Sequence, residues 1–78
     1  MSKKSKIIRG YTVFYDLDAS KGIEHLAYVL SPAEQDSLFE AAWRSGEVKF
    51  EDRLGRNFIL KPQSRWKFML KKRKESWW

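Results

Sequence analysis

Cysteine is absent, so neither a disulfide nor a thiolate zinc site can staple this 78-residue chain. Histidine occurs once, at position 25, which excludes any site that needs two imidazoles. Apolar runs such as FIL and FML fall far short of the about 20 residues a membrane-spanning helix needs. The basic start at 1–6 is followed by IIRGYTVFYDL, which carries Arg9 and Asp16 and is not the apolar core of a signal peptide. The expectation is a small soluble, cytoplasmic domain with no membrane partner. No Gly-rich phosphate loop, RNP aromatic motif or GXXG loop occurs, and no heptads stand behind the basic region.

What the chain has is aromatics and positive charge. Four Trp, five Phe and three Tyr supply the large side chains that a domain this small needs for its core. The net charge is +6, unevenly placed. Residues 1–9 carry Lys3, Lys4, Lys6 and Arg9 with no acid. Residues 10–52 carry nine acids against Lys21, Arg44 and Lys49. Residues 53–78 carry nine bases against Glu75. A basic end suits an anionic partner. The plainer alternative is that the ends fold back and neutralise the acidic middle.

Periodicity places the elements. A basic arm is expected over 1–6, a single domain over 7–72 and a basic, tryptophan-ended tail over 73–78. IIRGYTVFYDL alternates as one strand, with Ile7, Tyr11, Val13, Tyr15 and Leu17 on one face and Ile8, Thr12 and Phe14 on the other. DASKG has turn chemistry. Residues 23–30 fit both templates. Ile23, Leu26, Ala27 and Leu30 have helical spacing, whereas Leu26, Tyr28 and Leu30 alternate as a strand. A hairpin with the first strand favours the strand. SPAEQDSLFEAAWRSG predicts a helix over 32–45, with Ser31 as N-cap, Pro32 at the first position, Glu34 closing a capping box and Gly46 at the end. Val48 and Phe50 begin a hairpin that turns at RLGR, and Pro62 is expected to end its second strand. Trp66, Phe68 and Leu70 alternate with Lys67, Met69 and Lys71 as a fifth strand. A basic helix over the same residues is the alternative, but Arg73 interrupts its apolar stripe.

The fold expected is α+β: a small antiparallel sheet, ββαββ with a fifth C-terminal strand, packed on one helix. Val13, Tyr15, Val48, Phe50, Phe58, Leu60, Trp66, Phe68 and Leu70 should meet Leu38, Phe39, Ala42 and Trp43 in the core. The other face should show Thr12, Phe14, Lys49, Ile59, Lys61, Arg65, Lys67, Met69 and Lys71.

Catalytic chemistry is not indicated. His25 is the one side chain of the type that most often serves as a general base. Asp16 and Asp18 lack a third ligand, and Glu51-Asp52 sits where a turn uses Asp for its own backbone. No catalytic residue, metal or cofactor is expected. Basic residues interleaved with aromatics point instead to nucleic acid, bound through its phosphates and by stacking. The candidate contacts are Lys49, Lys61, Arg65, Lys67, Lys71, Lys72, Arg73, Lys74 and Phe14. The rival is a protein partner, met through Trp77 and Trp78 or through a sheet edge, in a monomer or a homodimer.

Overall fold

The computed structural model describes residues 4–73. The strand expected over 7–17 is two strands. β1 (Lys4–Ile8) and β2 (Tyr11–Tyr15) form a hairpin turned by Arg9 and Gly10. Both turn residues have positive φ, 54° and 85°, the geometry of a two-residue hairpin loop. Gly10 adopts it freely. Arg9 is held there by its guanidinium, whose Nε and Nη2 each donate to the Asp36 carboxylate at 2.9 Å. The turn inverts the expected facing of β1: Ile8 is buried, and Ile7 is 71% exposed on the opposite side. Lys4 to Lys6, read as part of a basic arm, belong to β1.

Residues 17–29 coil. A 3₁₀ turn (Leu17–Ala19) leads into α1 (Ser20–Glu24), which widens into a π-helical turn (His25–Val29). The strand expected over 23–30 is therefore wrong, and the helical spacing prevails. Ile23 and Leu26 are buried, and Ala27 and Leu30 pack against the core. Gly22 explains why a turn-like DASKG can be helical. A Cβ on Gly22 would lie 2.6–2.8 Å from three ring carbons of the fully buried Phe58. Helix and sheet approach this closely only because position 22 has no side chain. Gly22→Ala should lose about 1–3 kcal/mol to overpacking. About 1 kcal/mol of that returns as helix propensity. Urea denaturation measures the net loss, and Phe58→Leu in the same chain should recover part of it.

The π turn withdraws the carbonyls of Leu26 and Ala27 from regular helical pairing. Gln35, itself buried, donates Nε2 to both, at 2.8 and 3.2 Å. Gln35 lies on α2 (Pro32–Ser45), the helix expected over 32–45. Its capping box is present: Glu34 N donates to Ser31 Oγ, and Ser31 N donates to Glu34 Oε1. Gly46 closes it with φ 88°.

β3 (Val48–Glu51) and β4 (Asn57–Ser64) form the second hairpin, and β5 (Lys67–Lys72) follows. β4 does not stop at Pro62. β3 reaches only as far as Leu60, so the missing N–H of Pro62 faces an open edge, and a bulge between Pro62 and Ser64 absorbs the misfit against β5.

The sheet order is β1-β2-β5-β4-β3. β5 enters the middle and runs parallel to β2, so the sheet is mixed rather than antiparallel. Both helical segments cover one face. Phe39, Phe58 and Phe68, with Leu26, Leu60, Leu70 and Val13, fill the space between the layers. Tyr15, Val48, Phe50 and Leu38 are half-buried at its margin. Two expected core residues lie outside it: Trp66 is 58% exposed and Trp43 is 47% exposed. Trp66 falls in the β4–β5 turn, beyond the cover of α2. Its ring tilts against Tyr11 at 5.6 Å, while Trp43 reaches Phe68 at 6.0 Å.

Candidate nucleic-acid interface

Among the described residues, no helix covers the second sheet face. Strand register sets its side chains in rows. Lys49, Ile59 and Lys71 lie across β3, β4 and β5. Lys61, Met69 and Phe14 lie across β4, β5 and β2. Lys67, Thr12 and Ile7 lie across β5, β2 and β1. Phe14, Ile59 and Met69 are half-buried, and the four lysines are exposed around them. Alternation builds this surface, because the core residues Phe50, Leu60, Phe68 and Leu70 next to these lysines face the other way.

Charge separates between the layers. The bases of the helical layer are neutralised locally: Lys21 reaches Glu24 at 3.7 Å and Arg44 reaches Glu40 at 2.9 Å. Arg9 holds Asp36, whose carboxyl is kept below the usual carboxylate range by that hydrogen bond. On the open face, Lys61 comes within 4.0 Å of Glu47. Lys49, Lys67 and Lys71 form no ion pair among the described residues. Glu51 shares the face, at the end of β3 beside Asn57. The acidic middle therefore pairs with Arg9, Arg56 and in part Lys61, and among the described residues leaves the other three lysines of the face without an ion pair.

The remaining candidates are scattered. Arg65 lies in the β4–β5 turn, with its guanidinium carbon 5.9 Å from the Trp66 ring centre. Lys72 shares the register face of Phe58, not that of Lys71. Arg73 extends the pairing, donating its N–H to the Asn57 carbonyl at 2.8 Å. Lys72 and Arg73 line a hollow of about 700 Å³ at the end of the sheet, together with Asp18, Leu54, Gly55, Arg56 and Asn57. Lys74, Trp77 and Trp78 lie outside the described residues.

Sequence reasoning did not place Arg56 and Asp18 in one hollow with Lys72. No local signal links them: Asp18 is brought there by the pairing of β2 with β5, and Arg56 by the pairing of β4 with β5. His25 stacks on Phe50 at 6.0 Å and borders a shallow hollow of about 320 Å³ with Glu34, Ser37 and Glu51. Among the described residues, no group of three or more His, Asp or Glu is placed to hold a metal ion. No helix among them is long and apolar enough to cross a membrane.

No family model, curated protein or solved structure matches this chain.

The open face is thus a basic surface with an apolar centre and, among the described residues, one aromatic ring. It offers several cationic donors and no fixed constellation of polar groups that would select a base.

Proposed function

We propose that this chain is a non-catalytic nucleic-acid-binding domain. It contacts phosphates through Lys49, Lys61, Lys67 and Lys71 and has little sequence specificity. The observation that carries this reading is that Lys49, Lys67 and Lys71, free of ion pairs among the described residues, surround Phe14, Ile59 and Met69 on a sheet face that no described helix covers. Long lysine side chains on alternate strands follow a phosphate backbone without fixing its register. Phe14 is the one ring among them, so stacking adds about 1–3 kcal/mol and for one base at most. The acidic helical layer turns the opposite side away from a polyanion, which orients the encounter.

Titration with labelled single- and double-stranded DNA and RNA tests this. Four phosphates neutralised on a single strand give a log–log salt slope of about −2.8, or about 50-fold weaker binding at 200 mM than at 50 mM salt. Lys67→Ala with Lys71→Ala should halve the slope to about −1.4. Absence of binding at low salt sinks the reading. It would leave a protein partner, docked at a sheet edge or through Trp77 and Trp78.

A further inference from the structure

The hollow beyond β5 has a different character from the open face. β2 and β5 run parallel, so their C-terminal ends stand side by side. The first leads to Asp18, and the second supplies Lys72 and Arg73. The β3–β4 loop closes the third side with Leu54, Gly55 and Arg56. At about 700 Å³ the hollow lies within the range of small-ligand sites, about 300–1,000 Å³.

Its charges are not equivalent. Arg56 is committed to Asp52 through Nε at 2.6 Å. Lys72 and Arg73 form no ion pair among the described residues. The loop amides are also spent: Leu54 N and Arg56 N donate to Asp52 Oδ1, and Gly55 N donates to the Asp52 carbonyl. An anion here is therefore held by side chains, chiefly those of Lys72 and Arg73, with the terminal nitrogens of Arg56 beside them. Asp18 is the opposing feature. A carboxylate only accepts hydrogen bonds and repels a second phosphate, but it accepts from a sugar hydroxyl. This set suits one phosphate with its sugar, not a run of backbone. Leu54, 75% exposed at the rim, offers apolar surface to a base.

We propose that this hollow seats the terminal phosphomonoester of a nucleic-acid strand, with Lys72, Arg73 and Arg56 on the phosphate and Asp18 on the sugar. A terminal monoester carries about −1.5 to −2 charges at pH 7, against one for each internal phosphate, so two uncompensated cations favour the end of a strand. The identity of the ligand as a strand rests on the open-face reading. The seat itself rests on the hollow.

The test uses one short RNA strand in three forms: hydroxyl-ended, 5′-phosphorylated and 3′-phosphorylated. One phosphorylated form should bind the full chain about tenfold tighter than the hydroxyl form, and the two arms identify the end. Lys72→Ala with Arg73→Ala should abolish that increment and leave hydroxyl-ended binding nearly unchanged. Lys67→Ala with Lys71→Ala should weaken all three forms and keep the increment. Equal affinity for the three forms overturns the proposal while the open-face reading stands. An increment that survives loss of Lys72 and Arg73 also overturns it. If no form binds, the open-face reading fails, and the hollow is judged by amide chemical shifts with nucleoside 5′- and 3′-monophosphates. Shifts confined to residues 18, 54–57 and 72–73 uphold the seat, and their absence overturns it.

Discussion

Phe68→Ala should cost about 3–5 kcal/mol, because truncating a buried Phe removes both transfer energy and packing. Phe68 is fully buried on the central strand, between Val13 of β2 and Pro62 of β4. Its ring meets Tyr11 at 5.0 Å and Phe39 at 4.8 Å, both edge-on, and Trp43 at 6.0 Å. These three rings come from β2 and α2, so the cavity would open where sheet and helix are joined. A strand at the edge could relax into such a void, but β5 is paired on both sides. The whole domain is worth about 4–12 kcal/mol at this length. The variant should therefore keep at most about 9 kcal/mol, and where the wild type lies toward the lower end of that range it should be unfolded at room temperature. Urea titration followed by tryptophan fluorescence reads this, and Phe68→Leu, which keeps most of the volume, should fall between the two. A loss below about 1 kcal/mol, the size of an ordinary substitution, would show that Phe68 does not hold the layers together.

Phe68 was also legible in the sequence, and the reason is instructive. Wherever a strand is half-buried, alternation marks its inner side chains, so Val13, Phe58, Leu60, Phe68 and Leu70 are all recoverable from pattern. α2 was equally plain, since Ser31, Pro32, Glu34 and Gly46 each have a local reason to stand where they do. Three things were hidden. Arg9-Gly10 lacks the Asn or Asp that usually announces a two-residue hairpin, and the alternation around it hides the reversal. Residues 23–30 satisfied two periods at once, and only the contact of Gly22 with Phe58 shows which one the fold needs. The place of β5 in the sheet is a tertiary fact, and with it the meeting of Asp18, Arg56, Lys72 and Arg73. Trp66 misled for a simpler reason. Alternation gives a residue its side of the sheet, but it does not say how far the opposite layer extends.

The candidate face was legible to the same degree. Thr12, Phe14, Lys49, Ile59, Lys61, Lys67, Met69 and Lys71 share one side, as alternation requires. The run Lys71 to Lys74 was the poorer guide. Contiguous cations on a strand cannot face one way, and Lys71 and Lys72 point to opposite sides. Lys71 therefore lies on the open face, while Lys72 and Arg73 line the hollow.

Asp52→Ala should cost about 1.5–3 kcal/mol, the range for hydrogen bonds to a charged group. Asp52 is buried, and its carboxylate organises the whole β3–β4 loop. Oδ1 accepts from Leu54 N at 3.0 Å and from Arg56 N at 2.9 Å, while Oδ2 accepts from Arg56 Nε. Burial by itself would raise its pKa. The two backbone N–H groups and the Arg56 guanidinium outweigh burial and hold the carboxyl below its usual range. A carboxyl with a depressed folded pKa stabilises the fold fully above its unfolded pKa, about 3.9. That contribution is lost as pH falls through the lower folded value. The stability gap between wild type and Asp52→Ala should therefore be constant near neutrality and shrink below about pH 4. Asp36, also depressed by its arginine partner, adds to the acid lability of the wild type but is common to both chains. Asp52→Asn separates charge from shape. It can keep an acceptor for the loop N–H groups but loses the ion pair, so it should recover part of the loss and show a flatter acid limb. Denaturation midpoints of the three chains between about pH 3 and pH 7 decide the matter. A gap that widens toward acid would mean that Asp52 is protonated more readily in the fold than out of it, and would remove the loop's charge as the source of its order.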